Sequence, residues 1–270
     1  MIQINKPIIG PIIPYSIGRV GQCKLVNHTQ SLLDQYMVDN DKFNNPNRRW
    51  RPSQSVYGHN IIKDFLKRNI QKNKCCYCEK EILSSYEVEH YRPCAAYQQD
   101  YNGQTYKPGY YWLSYNWSNL FYSCSSCNKS KGEYFPLANN LNRSIPHIVN
   151  QNCENEIPLL IDLVNEDPRA FIFYDGLDPK GTNENFDRGE LMIKAVGLRN
   201  QDMYDERISH WNKILAHKKF VEKVINRMND ENKAKEINDY TTYLDEKCNP
   251  ELPFSTLISD NRAFFELELV

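Results

Sequence analysis

The chain has 270 residues, of which 40% are hydrophobic and 25% are charged, close to the composition of an ordinary soluble protein. This length allows one large domain or two small ones with a buried core. Prolines interrupt the apolar opening MIQINKPIIGPIIPYSIG, which excludes a typical signal peptide or membrane span. We therefore expect a cytoplasmic protein that does not enter a membrane.

The net charge of −1 conceals an uneven distribution along the chain. Residues 1–80 hold 13 Lys/Arg against 5 Asp/Glu, a balance of +8, whereas residues 81–200 balance at −5 and residues 201–270 at −4. A basic segment favours phosphate binding, although solvated lysines on a helix face would give the same balance. Within it, Arg48, Arg49, Trp50 and Arg51 either contact nucleic acid by charge and stacking or form a solvated loop.

The predicted elements of the first half begin with an irregular segment over residues 1–55. Residues 59–70 carry apolar side chains at helical spacing and predict a helix. Residues 86–91 predict a strand, which a polar loop follows. The aromatic run YYWLSYNWSNLFYSC, residues 110–124, predicts a buried segment or the lining of a site.

In the second half, the stretch CSSCNKSKG predicts a short helix that ends before Pro136. Residues 156–175 predict two strands around an Asp167-Pro168 turn, with Asp175-Gly176 closing the second. An amphipathic pattern predicts a long helix from about Asp202 to Met228. A second helical segment and a final short element are expected after it.

Four of the nine cysteines form two Cys-x-x-Cys pairs, Cys75/Cys78 and Cys124/Cys127. In a reducing compartment this arrangement indicates metal binding before disulfide formation. Together the pairs can supply four thiolates to one tetrahedral zinc of the structural kind. The 45 residues between them, 79–123, would then form an insertion held at its base by the metal. The alternative is two unrelated cysteine pairs.

The order of motifs around these cysteines resembles that of the HNH nuclease family. The segments that carry the resemblance are CCYCE, VEHYRP, WSNLFYSCSSCNKSKG and FPL, between Cys75 and about Leu137. With PLLIDLVNEDP and RGELMIKAVGLRN, the longer stretch of roughly residues 60–210 resembles the PtuB-like HNH nuclease subunit of Septu-type and retron-linked antiphage systems.

This resemblance implies an α+β fold, in which a ββα-metal HNH nuclease core with a four-cysteine zinc knuckle is embedded in a mainly helical scaffold. The expected division is an irregular basic N-terminal arm (residues 1–58), a zinc-stapled nuclease core (residues 59–140) and a mainly helical C-terminal scaffold or partner-binding region (residues 141–270).

The resemblance also implies roles for individual residues. His90 would be the general base that takes a proton from the attacking water, and Asn119 would orient its ring or its strand. Asn128 and Glu89 would hold a catalytic divalent cation, and their oxygen ligands favour Mg²⁺ or Mn²⁺. Further candidates for binding phosphates are Arg92, Lys129 and Lys131.

The chain departs from the family pattern at two positions. Asn128 stands where many members carry histidine, which weakens any expectation about metal preference but keeps an oxygen ligand. Cys94 stands where the related subfamily often has a lysine after the Arg-Pro pair, so one phosphate contact is expected to be missing.

The function implied is a metal-dependent endonuclease that hydrolyses phosphodiester bonds of DNA or RNA. A Septu-like role implies an ABC/SMC-like ATPase subunit, PtuA-like. The chain has no P-loop motif, so any ATP-dependent control must come from another protein. Retron membership would add a reverse transcriptase and its msDNA. The alternative is a binding module whose zinc knuckles grip nucleic acid or a partner without chemistry. The presence of His90 with two metal-ligand candidates favours the enzyme.

Overall fold

A computed structural model describes residues 1–7, 13–14, 22–23, 25–84, 86–144 and 153–268 of the chain. Residues 8–12 and 15–21 of the proline-interrupted opening lie outside the described part. The strands are β1 (Ile13–Pro14), β2 (Gln22–Cys23), β3 (Tyr86–His90), β4 (Tyr97–Gln98), β5 (Thr105–Tyr106), β6 (Leu120–Cys124), β7 (Ile172–Asp175) and β8 (Asp178–Gly181). Each pairs with one other strand, so the described sheets are small antiparallel pairs.

Helices account for most of the regular structure, and the fold is mixed α/β as expected. The α-helices are α1 (Leu25–Val38), α2 (Asp41–Asn44), α3 (Gln54–Tyr57), α4 (Asn60–Asp64), α5 (Ser125–Lys131), α6 (Phe186–Ala195), α7 (Gln201–Ile225), α8 (Asp230–Lys247), α9 (Ser255–Asp260) and α10 (Arg262–Phe265). A π-helical turn over Phe65–Ile70 continues α4. Among the described residues, no helix is long and apolar enough to cross a lipid bilayer.

Strands β3 and β6 and helix α5 form one unit, which we call the strand–helix unit. The two strands are antiparallel, with Tyr86 opposite Cys124 and His90 opposite Leu120. Helix α5 follows β6 directly, and the Cys124 sulfur caps it by accepting from the Cys127 N–H. The helix ends at Gly132, whose φ of +50° lies in the region that a residue without Cβ enters at little cost.

The buried apolar side chains form two clusters. The larger one surrounds the strand–helix unit and reaches from the N-terminal residues to Met203, with Tyr77, Phe121 and Phe135 among its fully buried members. The smaller one lies among the C-terminal helices, where Trp211, Ile258 and others pack together. Most of the helical region, residues 201–268, thus packs in a cluster of its own, although Met203 belongs to the larger cluster and Ser255 and Thr256 bond the buried Glu79.

The predicted helices over residues 59–70 and 202–228 are confirmed, the first as α4 with its π-helical turn and the second as α7. The helix predicted after the second cysteine pair is α5. The strand predicted for residues 86–91 is β3, which ends one residue earlier. These segments have a strong hydrophobic periodicity or a helix-capping residue in their own sequence. Their secondary structure can therefore be predicted without knowledge of tertiary contacts.

Residues 1–55 are not irregular throughout, and this prediction is wrong for helix α1. Polar residues obscure its pattern, but Leu32 and Tyr36, four residues apart, are both buried. The Tyr36 ring stacks on that of Tyr111 with 4.7 Å between centroids. Tertiary packing thus stabilises a helix that its composition does not reveal.

Of the two strands predicted around Asp167-Pro168, the second is confirmed as β7, whereas the first is wrong, because residues 156–166 form no strand. The Asp167 side chain accepts from the Arg169 N–H and begins a 3₁₀ turn, Pro168–Ala170. Strand β7 pairs with β8 across a two-residue loop, Gly176-Leu177, which follows Asp175 as expected for the end of the second strand. Gly176 takes the first loop position with a φ of +57°, which a residue without Cβ adopts at little cost.

Candidate functional site

The four cysteines of the two predicted pairs meet in one buried cluster. The sulfurs of Cys75, Cys78, Cys124 and Cys127 all lie within 4.8 Å of one another. The eight cysteines whose side chains are described are free, so these four are not paired as disulfides. The Cys124 N–H donates to the Cys75 sulfur at 3.4 Å and stabilises a thiolate there. A tetrahedral set of four thiolates suits a structural zinc.

Glu89 is buried and faces two donors from other elements. Its side chain is 3% exposed, and its Oε1 accepts from the Tyr77 hydroxyl at 3.1 Å. The Lys131 ammonium, on α5, lies 2.6 Å from the same oxygen. Burial raises the pKa of Glu89, and the positive charge of Lys131 opposes that shift. The carboxylate is therefore held in a buried ion pair.

His90, the next residue, contacts the backbone of the segment before β6. Its Nε2 lies 2.9 Å from the Ser114 carbonyl oxygen, which can only accept, so Nε2 carries the proton of the neutral ring. Burial lowers the pKa of His90 to about 4, with a further lowering by the Lys131 charge. The ring is thus neutral at pH 7, and its Nδ1 has a free lone pair.

Asn119, just before β6, holds the chain that follows His90. Its Oδ1 accepts from the Arg92 N–H at 2.7 Å, and its Nδ2 donates to the Arg92 carbonyl at 3.0 Å and to the Leu113 carbonyl at 3.2 Å. In addition, the Tyr91 N–H donates to the Asn119 carbonyl at 3.0 Å. The side chain is buried, and all three of its bonds go to backbone groups.

A cleft of about 310 Å³ opens beside the strand–helix unit. Its lining includes Glu89, His90 and Asn128, together with Cys94, Arg51 and Tyr57. The structure therefore brings three of the predicted site residues to one concavity. Asn119 is not among the lining residues and lies behind the cleft, where it bonds the backbone.

The three residues predicted to bind phosphates have different surroundings. The Arg92 Nη1 lies 2.8 Å from the buried Glu156 carboxylate, away from the cleft. The Lys131 Nζ, 2% exposed, also donates to the His90 carbonyl at 2.9 Å. Lys129 is exposed on the surface of α5. Among the three, Lys129 is the one whose charge faces solvent.

Two residues near the predicted base carry no signal in the sequence. The Tyr57 ring meets the His90 ring edge-on, with 4.6 Å between centroids, and Tyr57 lies far from any recognised motif. Ser114 contributes a backbone carbonyl, which no side-chain pattern can reveal. Both could be identified only from the folded structure, in which they contact His90 of β3.

Comparison with known proteins gives one partial match. The chain is 36% identical over 156 residues to the Septu protein PtuB of Bacillus mycoides (strain KBAB4), an alignment that covers 56% of this chain and 51% of that protein. The chain thus spans about half the length of this curated relative. No family model matches the chain, and no solved structure matches it. The similarity to PtuB-like proteins expected from the motifs is confirmed.

Proposed function

We propose that this chain is a metal-dependent HNH-type endonuclease that hydrolyses phosphodiester bonds, and that it serves as the nuclease of a Septu-type antiphage system. The observation that carries the proposal is the shared cleft of Glu89, His90 and Asn128 beside a buried four-cysteine cluster. The similarity to a Septu protein supports the assignment to a defence system.

The hydrogen bond of His90 supports its role as the general base. Because Nε2 donates to the Ser114 carbonyl, Nδ1 is the atom that accepts a proton from a water molecule in the cleft. As that proton leaves, the water oxygen attacks phosphorus and the bond to the leaving 3′ oxygen breaks. Asn119 holds the backbone after His90 and so keeps the ring in position, which makes it a positioning residue.

The possible metal ligands in the cleft are oxygen atoms, which hard divalent cations prefer. Glu89 and Asn128 offer a carboxylate and an amide oxygen, which suit Mg²⁺ or Mn²⁺. Both donors that bind Glu89 are bonded to Oε1, so Oε2 is the oxygen that we assign to the cation. Such a cation would neutralise charge that develops on the phosphate and the leaving oxygen.

The cysteine cluster fits a second metal with a different role. Four thiolates leave zinc no open position, so this ion would stabilise the fold without taking part in hydrolysis. It would join the first cysteine pair, which precedes β3, to the second pair at the junction of β6 and α5. The zinc would therefore hold the two strands and the helix that carry the cleft residues.

Control of the activity is assigned to a partner. The Septu resemblance implies a PtuA-like ATPase of the ABC/SMC-like type, and a retron-linked system would include a reverse transcriptase and its msDNA. The C-terminal helices or the N-terminal arm would dock on the ATPase. Co-expression with the neighbouring ATPase, followed by size-exclusion chromatography, tests this assembly. Separate elution of the two chains would contradict it.

Cleavage assays test the proposed activity. The purified chain with its ATPase partner should cleave plasmid DNA, phage DNA or total tRNA with Mg²⁺ or Mn²⁺ and not with EDTA. Replacing Asn128 by Ala should raise the metal concentration needed for half-maximal cleavage, whereas Asn128→Asp keeps an oxygen ligand and should retain cleavage. If every substrate stays intact while nucleic acid is still bound, the chain is instead the binding module.

A further inference from the structure

The loop over residues 48–52, which we call the arginine loop, lies next to the candidate site and has no assigned role. Its Trp50 is 9% exposed and packs on Phe43 and Tyr111, with centroid distances of 4.8 and 6.3 Å. Trp50 therefore cannot act as a stacking platform for bases, and this part of the nucleic-acid interpretation is wrong. Instead, the buried ring fixes the loop to the core.

The loop is also held at both ends. The Lys107 ammonium donates to the Asn45 carbonyl at 3.1 Å and to the Arg48 carbonyl. At the other end, the Ser53 N–H donates to the Tyr115 hydroxyl at 2.8 Å. These bonds and the buried Trp50 hold the backbone of the loop in place. The backbone therefore loses little conformational freedom when the arginines bind a ligand.

The three arginines of the loop are exposed to solvent. The Arg48 and Arg51 side chains are 52% and 67% exposed. Arg48 lies 3.3 Å from Asp39 and 3.2 Å from Asp41, and Arg51 lies 3.3 Å from Glu133, but exposed pairs of this kind are weak. For Arg49, which is exposed, no ion pair is found within the described residues. A phosphate could therefore replace these partners at little cost.

A concavity of about 580 Å³ runs along the loop and meets the cleft of His90. Lys42, Arg48, Arg49 and Arg51 line it, and no carboxylate occurs among the described residues that do so. Arg51 and Pro52 line both this concavity and the His90 cleft. The basic concavity thus borders the cleft of the candidate base, which Glu87, Glu89 and Glu133 also line.

We infer that the arginine loop binds the phosphates of the nucleic-acid strand beside the bond that is cut. The inference rests on the proposed function for the position of that bond. A guanidinium fork binds phosphate oxygens with two hydrogen bonds, and a continuous line of such groups matches the repeating charge of a phosphodiester backbone. The loop would make no base contact, so it would bind strands of any sequence.

Binding measurements with a cleavage-deficient chain test the loop directly. In a His90→Ala background, Arg48, Arg49 and Arg51 are replaced together by Gln, and binding of short fluorescent single-stranded DNA and RNA is followed by anisotropy. A matched control replaces the exposed Lys219, Lys223 and Arg227 by Gln, which removes the same three charges from helix α7 and the turn after it.

The loop variant should bind about 10-fold more weakly or worse. A plot of log K against log salt concentration has a negative slope, and the magnitude of that slope should decrease by about 2, because each lost phosphate contact removes about 0.7. The control should bind like the parent. Equal binding by the loop variant, or equal weakening in the control, would overturn the inference.

Hydrolysis of bis(p-nitrophenyl) phosphate by the unsubstituted chain, with its ATPase partner and Mg²⁺ or Mn²⁺, reports on the chemistry separately, because this substrate is too short to span the loop. If this hydrolysis occurs while the loop variant binds like the parent, the hydrolytic function stands and the arginine loop has another role. If it does not occur but the loop variant alone loses binding, the loop is a nucleic-acid surface and the hydrolytic proposal fails.

Discussion

The strand–helix unit and the C-terminal helical region (residues 201–268) bury charged side chains in different surroundings. In the strand–helix unit, the Lys131 ammonium faces the buried Glu89 carboxylate, and the two form an ion pair. In the helical region, the buried Arg207 and Lys218 donate to backbone carbonyls, beside an apolar cluster that includes Ile258. Burying polar groups costs free energy unless each is bonded, so such a network specifies one geometry.

The difference indicates where function lies. An apolar cluster tolerates substitutions that keep its volume, because its contacts are not directional. The network around Glu89 tolerates few substitutions, because removing one hydrogen-bonding partner leaves the other as an unpaired buried polar group. We therefore expect substitutions in the strand–helix unit to change both stability and activity, and those in the helical region to change stability alone.

The largest effect is expected from the cysteine cluster. Replacing Cys75 by Ala removes one of four thiolates, and structural zinc sites contribute about 10–16 kcal/mol to folding. The variant should lose its bound zinc and its folded structure, as measured by metal analysis and circular dichroism. Cys76→Ala is the control, because this neighbouring cysteine is buried but lies outside the cluster. A folded Cys75 variant without zinc would contradict the structural role.

The buried ion pair should give the next largest effect. Lys131→Met leaves the Glu89 carboxylate buried without its counter-charge, which typically costs about 3–5 kcal/mol. Urea unfolding measures this loss of stability. Lys129→Met on the same helix is the control and should change stability by less than about 0.5 kcal/mol, since its side chain is exposed. Equal effects of the two substitutions would mean that the ion pair of Lys131 with Glu89 does not stabilise the fold.

The smallest effect is expected in the helical region. Ile258 is fully buried, and Ile258→Val should lower the free energy of unfolding by about 1 kcal/mol through loss of one methylene. Cleavage at a temperature where the variant is folded should stay unchanged. Ile61→Val, at a partly exposed position, is the control for the substitution itself. A marked loss of cleavage by the Ile258 variant would mean that the two regions are coupled.

The sequence predicts the helical region by its periodicity and the strand–helix unit by its motifs. Helix α7 follows from apolar spacing alone, whereas the meeting of Cys75 with Cys127 follows from matched spacing in two distant pairs. Helix α1 and strand β8 could not be predicted, because the burial of Tyr36 and the pairing of β8 with β7 depend on the folded chain.

Within the site, the sequence indicates which residues gather but not how each is bonded. His90, Glu89 and Asn128 are predicted together and line one cleft. The inward direction of Lys131 and the pairing of Arg92 with Glu156 are not predicted, because they depend on partners 41 to 64 residues away. A charge pattern cannot tell a lysine that faces solvent from one that neutralises a buried carboxylate.

The rate of phosphodiester cleavage by His90→Ala tests the central claim most directly. With zinc content and folded fraction matched to the parent, loss of the general base should lower the rate by about 10²–10⁴-fold. His217→Ala, whose ring packs on Tyr243 in the helical region, is the control and should cleave like the parent. Undiminished cleavage by the His90 variant would contradict the assignment of this cleft as the hydrolytic site.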